Sequence, residues 1–245
     1  MIAPQISVYP TPAEVAAEAA RRVVATAQAA VKERGVFRLA LAGGSTPKAL
    51  YQLLAAEPHV SAMPWDDTEI FFGDERCVAK DHKDSNYLMA EQAFLSKVPL
   101  PPENINRMKG EIDPTAAAEE YDKMLHNVLG AGLRLDIVLL GMGDDGHTAS
   151  LFPHTKALEE KTKWVVANYA ENSTTGKSWR ITFTAPFINR AAEVMFLICG
   201  ASKAARLQEV IEGDRDPMRL PSQLISPEGG KLTLLLDAAA AEMAE

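Results

Sequence analysis

The sequence predicts an α/β protein built on an open, mostly parallel sheet with helices on both faces. Runs of consecutive apolar residues, such as VFRLALA at 36–42 and LDIVLL at 135–140, alternate with longer segments of helical periodicity. Uninterrupted apolar strands are typical of parallel sheets, because both faces of such a sheet are covered. Several of these strands also run into a glycine-containing turn and a helix start, which is the order found in βαβ units.

The first half of the chain supplies five of these elements in order. Residues 12–34 are alanine-rich with apolar spacings of three and four, and Gly35 follows them, which predicts a helix with a glycine cap. The strand at 36–42 leads through GGSTP into the amphipathic helix KALYQLLAAE. TEIFFG at 68–73 predicts a strand that runs into the polar loop DERCVAKDHKDSN, with a helix from about Tyr87.

The second half continues the alternation. Residues 114–129 predict a helix, LDIVLL the next strand, and WVVAN, RITFT and VMFLIC further strands. GASKAARLQEVIEG again places glycine before a helix, and KLTLLLD at 231–237 predicts a last strand before the short helix AAAAEMAE. Since no linker, low-complexity tract or repeat divides the chain, we expect one domain over 1–245, and a small lid or subdomain around 150–190 stays open.

Composition limits the classes of partner. The 245 residues carry a net charge of −8 and no long cluster of Lys and Arg, which argues against nucleic acid. No apolar run is long enough for a membrane span, and the first residues have no basic and apolar signal pattern. Cys77 and Cys199 are far apart and form no CxxC pair, so we expect a reduced, cytoplasmic protein.

Four polar turns follow predicted strands, and they define the expected site. In open α/β sheets the ligand lies beyond the carboxyl ends of the strands, at a switch point of the topology. That rule brings GGSTP, GDER, GMGDDGH and GASK to one edge of the sheet. An acidic protein can still bind an anion there, provided that a few cations are concentrated in the site.

The turn GGSTP is a candidate phosphate site. Gly43 and Gly44 let the backbone approach a ligand closely, and Ser45 and Thr46 lie where a helix begins, before Pro47. Free N–H groups and hydroxyls at a helix N-terminus suit a sugar phosphate. An ordinary helix cap explains the same residues. The turn is neither a Walker loop nor a GxGxxG turn, which disfavours nucleotides.

Three cations and two acids add to this edge. Arg76 can bind a phosphate through two hydrogen bonds, while Asp74 or Glu75 orients it or acts as a base. A solvated, self-paired loop is the alternative for this segment. Arg180 opens the strand RITFT, and Lys203 is expected in the first turn of the helix after GAS, where a bound anion would offset its conflict with the helix dipole.

The segment GMGDDGHTASLFP at 141–153 carries the most specific candidate. Because histidine titrates near neutral pH, His147 can take a proton from water and return it to a leaving oxygen, and Asp145 can fix its tautomer. A capping histidine in a polar turn stays open as an alternative. A metal site that includes Asp144 lacks a multi-histidine set, and a triad with Ser45 or Ser150 lacks a GxSxG turn.

Taken together, these motifs resemble the bacterial-type 6-phosphogluconolactonases of the glucosamine-6-phosphate isomerase/deaminase superfamily. The resemblance runs from about residue 12 to the end and rests on LALAGGSTPKALY, FFGDERCV with DSNYLMA, DIVLLGMGDDGHTASLFP, RITFTAPFINRA and LISPEGGKLTLLLDAAAA. It implies a modified Rossmann-like fold. It also implies hydrolysis of 6-phospho-D-glucono-1,5-lactone to 6-phosphogluconate in the oxidative pentose phosphate pathway, without a cofactor or metal.

The resemblance also implies roles for individual residues. His147 is the expected general base and Asp145 its supporting carboxylate. Binding of the substrate or its phosphate is expected at Gly43, Gly44, Ser45, Thr46, Asp74, Arg76, Arg180 and Lys203. Which cation meets the phosphate stays open, as does the choice between a monomer and a small homo-oligomer. The expected partner is a small sugar phosphate lactone.

Two other functions fit parts of the same pattern. Glucosamine-6-phosphate deaminases share the glycine loop, the DE pair and DGH, but they typically continue DE with Tyr and DGH with a stretch resembling IAFNEP. This chain has Arg76 and TASLFP at those places, which favours the lactonase. A non-catalytic sugar-phosphate sensor ranks last, because the chain has no room for an added DNA-binding module and its charge is −8.

Overall fold

A computed structural model of the chain describes residues 3–130, 132–173 and 176–242. Within these ranges the strands are β1 (Gln5–Tyr9), β2 (Phe37–Leu41), β3 (Thr68–Phe72), β4 (Asp74–Arg76), β5 (Ile137–Leu140), β6 (Val165–Ser173), β7 (Gly176–Phe183), β8 (Glu193–Ile198) and β9 (Lys231–Asp237). The α-helices are α1 (Pro12–Arg34), α2 (Ser45–Leu54), α3 (His59–Ala62), α4 (Asn86–Ala90), α5 (Pro114–Leu129), α6 (Ala185–Ile188), α7 (Ala204–Glu212) and α8 (Ala238–Ala241). A π-helical turn follows α4 at Glu91–Leu95, and 3₁₀ turns lie at Trp65–Asp67, Pro102–Asn104, Lys156–Glu159, Ala201–Lys203 and Pro221–Leu224.

The main sheet confirms the predicted α/β class. It has six strands in the order β1-β9-β8-β5-β2-β3, and every neighbouring pair is parallel. Strand β5 is apolar and buried throughout, and β2 and β8 are buried except at Arg38 and Glu193, as the continuous apolar runs predicted. Strand β1 was not predicted, because this edge strand leaves Ile6 and Val8 exposed and therefore lacks the signal of a buried strand.

Helix α1 shows how closely local sequence sets an element. Thr11 caps its start by accepting the N–H of Glu14, and Gly35 ends it with φ of 76°, a left-handed conformation that favours glycine. Its buried face consists of small residues, mainly alanines, at helical spacing. Of the helices in the described ranges, α1 included, none is both long and apolar enough to cross a membrane.

A second sheet corrects part of the prediction. WVVAN and RITFT form strands, but β7 pairs antiparallel with both β4 and β6 in a three-stranded sheet outside the parallel one. The residues Asp74–Arg76, expected in a loop, are β4. Charged residues are poor strand formers on their own, and this strand exists because β7 pairs with it across a long stretch of chain. Both long strands fall within 150–190, where a lid role stays a prediction.

Gly73 joins the two sheets. Its N–H donates to the carbonyl of Leu41 at the end of β2 at 2.9 Å, and its own carbonyl accepts the N–H of Phe183 at the end of β7 at 2.8 Å. One residue therefore takes part in the hydrogen bonding of both sheets. The second sheet consequently starts at the carboxyl edge of the parallel sheet, where a ligand is expected.

Tyr51 secures the chain just before the glycine loop, which leads to a first prediction. Its buried hydroxyl donates to the carbonyl of Ala42 at 2.8 Å and accepts the N–H of Ala42 at 2.9 Å, and burial raises its pKa far above the ordinary value. Tyr51→Phe leaves both backbone groups unpaired, so we expect the free energy of unfolding to fall by about 1–3 kcal/mol in urea titrations.

Tyr87→Phe is the matched control for this substitution. The Tyr87 hydroxyl is only part-buried and makes a long contact of 3.3 Å with Glu91, so its loss should cost about 0.5 kcal/mol or less. An equal loss of stability in the two variants would contradict the role given to the Tyr51 hydroxyl.

Candidate active site

The predicted turns meet in one cleft at the carboxyl edge of the parallel sheet, with a volume of about 340 Å³. The predicted site residues that line it are Gly43, Gly44, Ser45, Thr46, Asp74, Arg76, His147 and Lys203. Asp145 and Arg180 do not line the cleft, but each is next to a residue that does, Asp145 beside His147 and Arg180 opposite Arg76. The convergence expected from the strand-end rule is therefore present in the fold.

The glycine loop presents an open helix N-terminus to the cleft. Gly44 is the capping residue of α2, and no side chain caps the first turn, which begins with Ser45 and Thr46. The first N–H groups of a helix have no partner within the helix, so they are available to an anion. Ser45 and Thr46 thus do not act as the ordinary N-cap that was the alternative reading of this turn.

Asp74 is held rigidly at the floor of the cleft. Its side chain accepts Asn86 Nδ2 at 3.0 Å on one oxygen and the Ser150 hydroxyl at 2.6 Å on the other. Asn86 also excludes any residue larger than glycine at position 43, because a Cβ on Gly43 would lie 2.3 Å from Asn86 Oδ1. Sequence analysis assigned no role to Asn86, whose only signal was its place in a polar loop.

Glu75 is buried and organises the turn that follows β4. Its carboxyl accepts the backbone N–H groups of Arg76, Asn86 and Tyr87 and the hydroxyl of Ser85. Burial raises the pKa of Glu75 by more than these backbone hydrogen bonds lower it. With Asp74 and Glu75 only 8% and 3% exposed, the loop is not the solvated, self-paired segment that stood as the alternative.

The two predicted arginines lie opposite each other in the second sheet. Arg76 on β4 pairs in register with Arg180 on β7, which places both side chains on one face. Arg76 lines the cleft and donates to the carbonyl of Asp84 at 2.7 Å. Arg180 is buried and bonded to Ser178 Oγ, and burial, together with the charge of Arg76, lowers its pKa. Of the two arginines, Arg76 therefore lines the cleft and Arg180 does not.

His147 and Asp145 form a hydrogen-bonded pair after β5. Asp145 Oδ1 lies 2.6 Å from His147 Nδ1 and also accepts the backbone N–H of His147 at 3.0 Å. Burial raises the pKa of Asp145, but its hydrogen bonds with His147 and the charge of that ring outweigh it, so the pKa lies below its ordinary value. An ionised carboxylate cannot donate, so Nδ1 carries the proton and Nε2 is free to accept one.

The loop packs closely around this pair. A Cβ on Gly143 would lie 2.0 Å from His147 Nδ1. Gly146 has φ of 81°, and its carbonyl accepts both the N–H of Ser222 at 3.0 Å and its hydroxyl at 2.8 Å. The peptide that leads into His147 is thus held on its carbonyl side by Ser222 and on its N–H side by Asp145. Sequence analysis missed Ser222, and no local signal identifies it.

Lys203 differs from its predicted position. It ends the 3₁₀ turn Ala201–Lys203 and precedes α7, rather than lying in the first turn of that helix. Its Nζ lies 2.6 Å from Asp144 Oδ1 at the cleft. The small residues that follow Gly200 continue the turn before the helix forms, which the helical pattern of the sequence does not reveal.

The geometry supports neither a metal site nor a catalytic triad with Ser150. Asp144 faces Lys203 and Asp145 faces His147, and the described part of the chain has no cluster of three or more His, Cys, Asp or Glu side chains suited to a metal. The Ser150 hydroxyl donates to Asp74, so it is not the nucleophile partner of His147.

Known proteins resemble this chain over most of its length. The family described as glucosamine-6-phosphate isomerases/6-phosphogluconolactonase matches residues 10–234. The 6-phosphogluconolactonase of Nostoc sp. is 41% identical over 243 residues, covering 97% of this chain and 98% of the relative. That of Synechocystis sp. is 43% identical over 218 residues, covering 87% of each protein.

Solved structures agree over the whole chain. The 6-phosphogluconolactonase of Trypanosoma brucei superposes with a TM-score of 0.89 at 31% identity and covers 100% of both chains. That of Trypanosoma cruzi has a TM-score of 0.88 at 32% identity, covering 98% of this chain and 97% of the other. A monomeric glucosamine-6-phosphate deaminase, at 22% identity and a TM-score of 0.82, shares the fold.

Proposed function

The chain belongs to the family of glucosamine-6-phosphate isomerases and 6-phosphogluconolactonases, and we propose that it hydrolyses 6-phospho-D-glucono-1,5-lactone to 6-phospho-D-gluconate with His147 as the general base. It is a lactone hydrolase of the pentose phosphate pathway by its similarity to the relatives that carry this name over nearly its full length. The contact of 2.6 Å between His147 Nδ1 and Asp145 Oδ1 is the observation on which the catalytic step rests.

The proposed reaction uses one water and no covalent intermediate. His147 Nε2 takes a proton as the water oxygen attacks the lactone carbonyl, and Asp145 stabilises the imidazolium that forms. The tetrahedral oxyanion then collapses, the bond from the carbonyl carbon to the ring oxygen breaks, and His147 returns the proton to that oxygen. The product is the open-chain acid. Because a δ-lactone is an activated ester, a general base and correct positioning are sufficient.

The cleft offers a place for each charged end of the substrate. We assign the phosphate to the N-terminus of α2, with Ser45 and Thr46, and to Lys203. Thr46 interacts with the thiol of Cys199 at the end of β8, which brings this helix start close to the turn that carries Lys203. Arg76, with Arg180 behind it, is left for the developing oxyanion.

The structure around TASLFP favours the lactonase over the deaminase. This segment begins after the DGH shared by both groups, and two of its residues act on the cleft: Ser150 binds Asp74 at 2.6 Å, and the ring of Phe152 packs 4.4 Å from that of His147. A cytoplasmic location and a monomeric or small homo-oligomeric state complete the proposal, with no nucleic acid as partner.

One experiment tests the function directly. Freshly generated 6-phosphogluconolactone is supplied to the purified protein, and 6-phosphogluconate dehydrogenase reports the product, with spontaneous hydrolysis subtracted. Glucosamine-6-phosphate is tested in parallel for release of ammonia. We expect accelerated lactone hydrolysis and no ammonia. Ammonia without lactone hydrolysis would reassign the chain to the deaminases, and binding without turnover of either compound would indicate a sensor.

A further inference from the structure

The carboxylate of Asp144 forms an ion pair with Lys203, the cation on which the proposed phosphate site depends. Its Oδ1 lies 2.6 Å from Lys203 Nζ, and the Ser202 hydroxyl donates to the same oxygen at 3.3 Å. Both Asp144 and Lys203 line the cleft. A negatively charged group of the protein therefore lies where the phosphate of the substrate is assigned.

The two groups that bind the Asp144 carboxylate, from Lys203 and Ser202, are of the kind that binds anions in general. The hydrogen bond from Lys203 lowers the pKa of Asp144 by more than burial raises it, so the group is ionised at neutral pH. An ammonium and a hydroxyl just before the start of α7 supply charge and hydrogen bonds of the kind that bind carboxylates and phosphates alike.

Displacing this carboxylate needs little more than rotation of one side chain. The Asp144 side chain is 70% exposed, and an ion pair with so exposed a partner is weak. Arg206 Nε donates to the main-chain carbonyl of Asp144 at 3.0 Å, and the N–H of Gly143 donates to the carbonyl of His147 at 2.9 Å. The backbone of the loop thus stays in place when the carboxylate leaves, and the His147–Asp145 pair is not disturbed.

We propose that Asp144 is an internal competitor for the phosphate of the substrate, pairing with Lys203 while no ligand is bound and giving it up to a ligand of higher charge. The inference rests on the proposed function, since it takes a sugar phosphate as the ligand. A phosphate monoester carries close to two negative charges near neutral pH, so it gains more from Lys203 than a single carboxylate does. A singly charged anion gains about as much from Lys203 as the Asp144 carboxylate does, so it does not displace that carboxylate.

The same exchange acts when the product leaves. The product retains the phosphate. Because the Asp144 carboxylate stays beside Lys203, it competes with that phosphate for Lys203 while the product dissociates. Asp144 therefore weakens the binding of substrate and product together, which favours turnover where substrate is not limiting.

Asp144→Asn tests the proposal, because it removes the charge and keeps the shape. We expect KM for 6-phosphogluconolactone to fall about three- to fivefold, the size expected for loss of an exposed ion pair. The Kd of inorganic phosphate, measured by calorimetry without turnover, should fall by a similar factor. In a Lys203→Ala background the same substitution should change neither quantity, since the cation for which Asp144 competes is gone.

Asp216→Asn is the matched control. Asp216 is a half-exposed carboxylate that lies 3.8 Å from Arg219 outside the cleft, so its loss changes the net charge equally and should leave KM unaltered. A KM and a phosphate Kd that stay constant or rise in Asp144→Asn would overturn the inference while leaving lactone hydrolysis by the wild type intact. Absence of lactone hydrolysis in the wild type, with tighter phosphate binding in Asp144→Asn, would instead reject the proposed function alone.

Discussion

His147→Ala is expected to lower kcat by about 10²–10⁴ and to leave KM nearly unchanged. The imidazole is proposed to accept the proton of the attacking water and return it to the ring oxygen, and neither step contributes to binding of the phosphate. Lys203, which is assigned to the phosphate, and Arg76, which is assigned to the oxyanion, lie on other segments and are bonded to Asp144 and Asp84 rather than to His147. Initial rates over a range of lactone concentrations, corrected for spontaneous hydrolysis, give both constants.

Another histidine of the chain supplies the control. His154 is exposed and outside the cleft, and its φ of 59° is one that asparagine tolerates, so His154→Asn should retain wild-type kcat. The kcat of Asp145→Asn should lie between those of His147→Ala and His154→Asn, because the ring of His147 stays in place but loses the carboxylate that sets its tautomer. Turnover close to that of the wild type in His147→Ala would remove the residue from the mechanism.

Gly143→Ala is expected to lower kcat about 10²-fold without unfolding the protein. The added Cβ would lie 2.0 Å from His147 Nδ1 and 2.7 Å from Asp145 Oδ1, so the pair must move apart. Displacement of a catalytic group by about 1 Å is enough for a loss of this size. The backbone of Gly143 requires no left-handed conformation, so the strain falls on the pair itself. Steady-state kinetics measures the loss, and circular dichroism checks the fold.

Gly141→Ala is the comparison made within the same loop. A Cβ at Gly141 meets nothing within 4 Å, so the identical chemical change should cost less than about twofold in kcat. Equal losses in the two variants would mean that the loop as a whole, and not the contact of position 143 with His147, determines the rate.

How much of this arrangement the sequence reveals depends on the distance along the chain between partners. The pair Asp145 and His147 could be predicted because its members are two positions apart and a tight turn brings them together. The bonds from Ser150 to Asp74 and from Ser222 to Gly146 each span 76 residues, and no local pattern contains that information. Strands were predictable wherever both faces are buried, and β4 was not, because its pairing with β7 outweighs its charged composition.

Charge was predictable and its environment was not. Sequence analysis identified Arg180 and Lys203 as cations of the site from their places near strand ends. It did not reveal that Arg180 is buried behind Arg76, or that Lys203 already holds a carboxylate. Burial and ion pairing are decided by which loops meet in space, so they follow from the fold rather than from the spacing of residues.

The junction at Gly73 determines which parts of the cleft can adapt. Its two backbone hydrogen bonds, to Leu41 on one sheet and from Phe183 on the other, couple the sheets mechanically at the base of the cleft. Arg76, at the end of β4, is carried by that junction, so the separation between its side of the cleft and the strand ends is set by main chain. Widening the cleft at this point would break buried peptide hydrogen bonds. The width of the cleft at this point is therefore set by main chain, and adaptation to a ligand there is left to side chains.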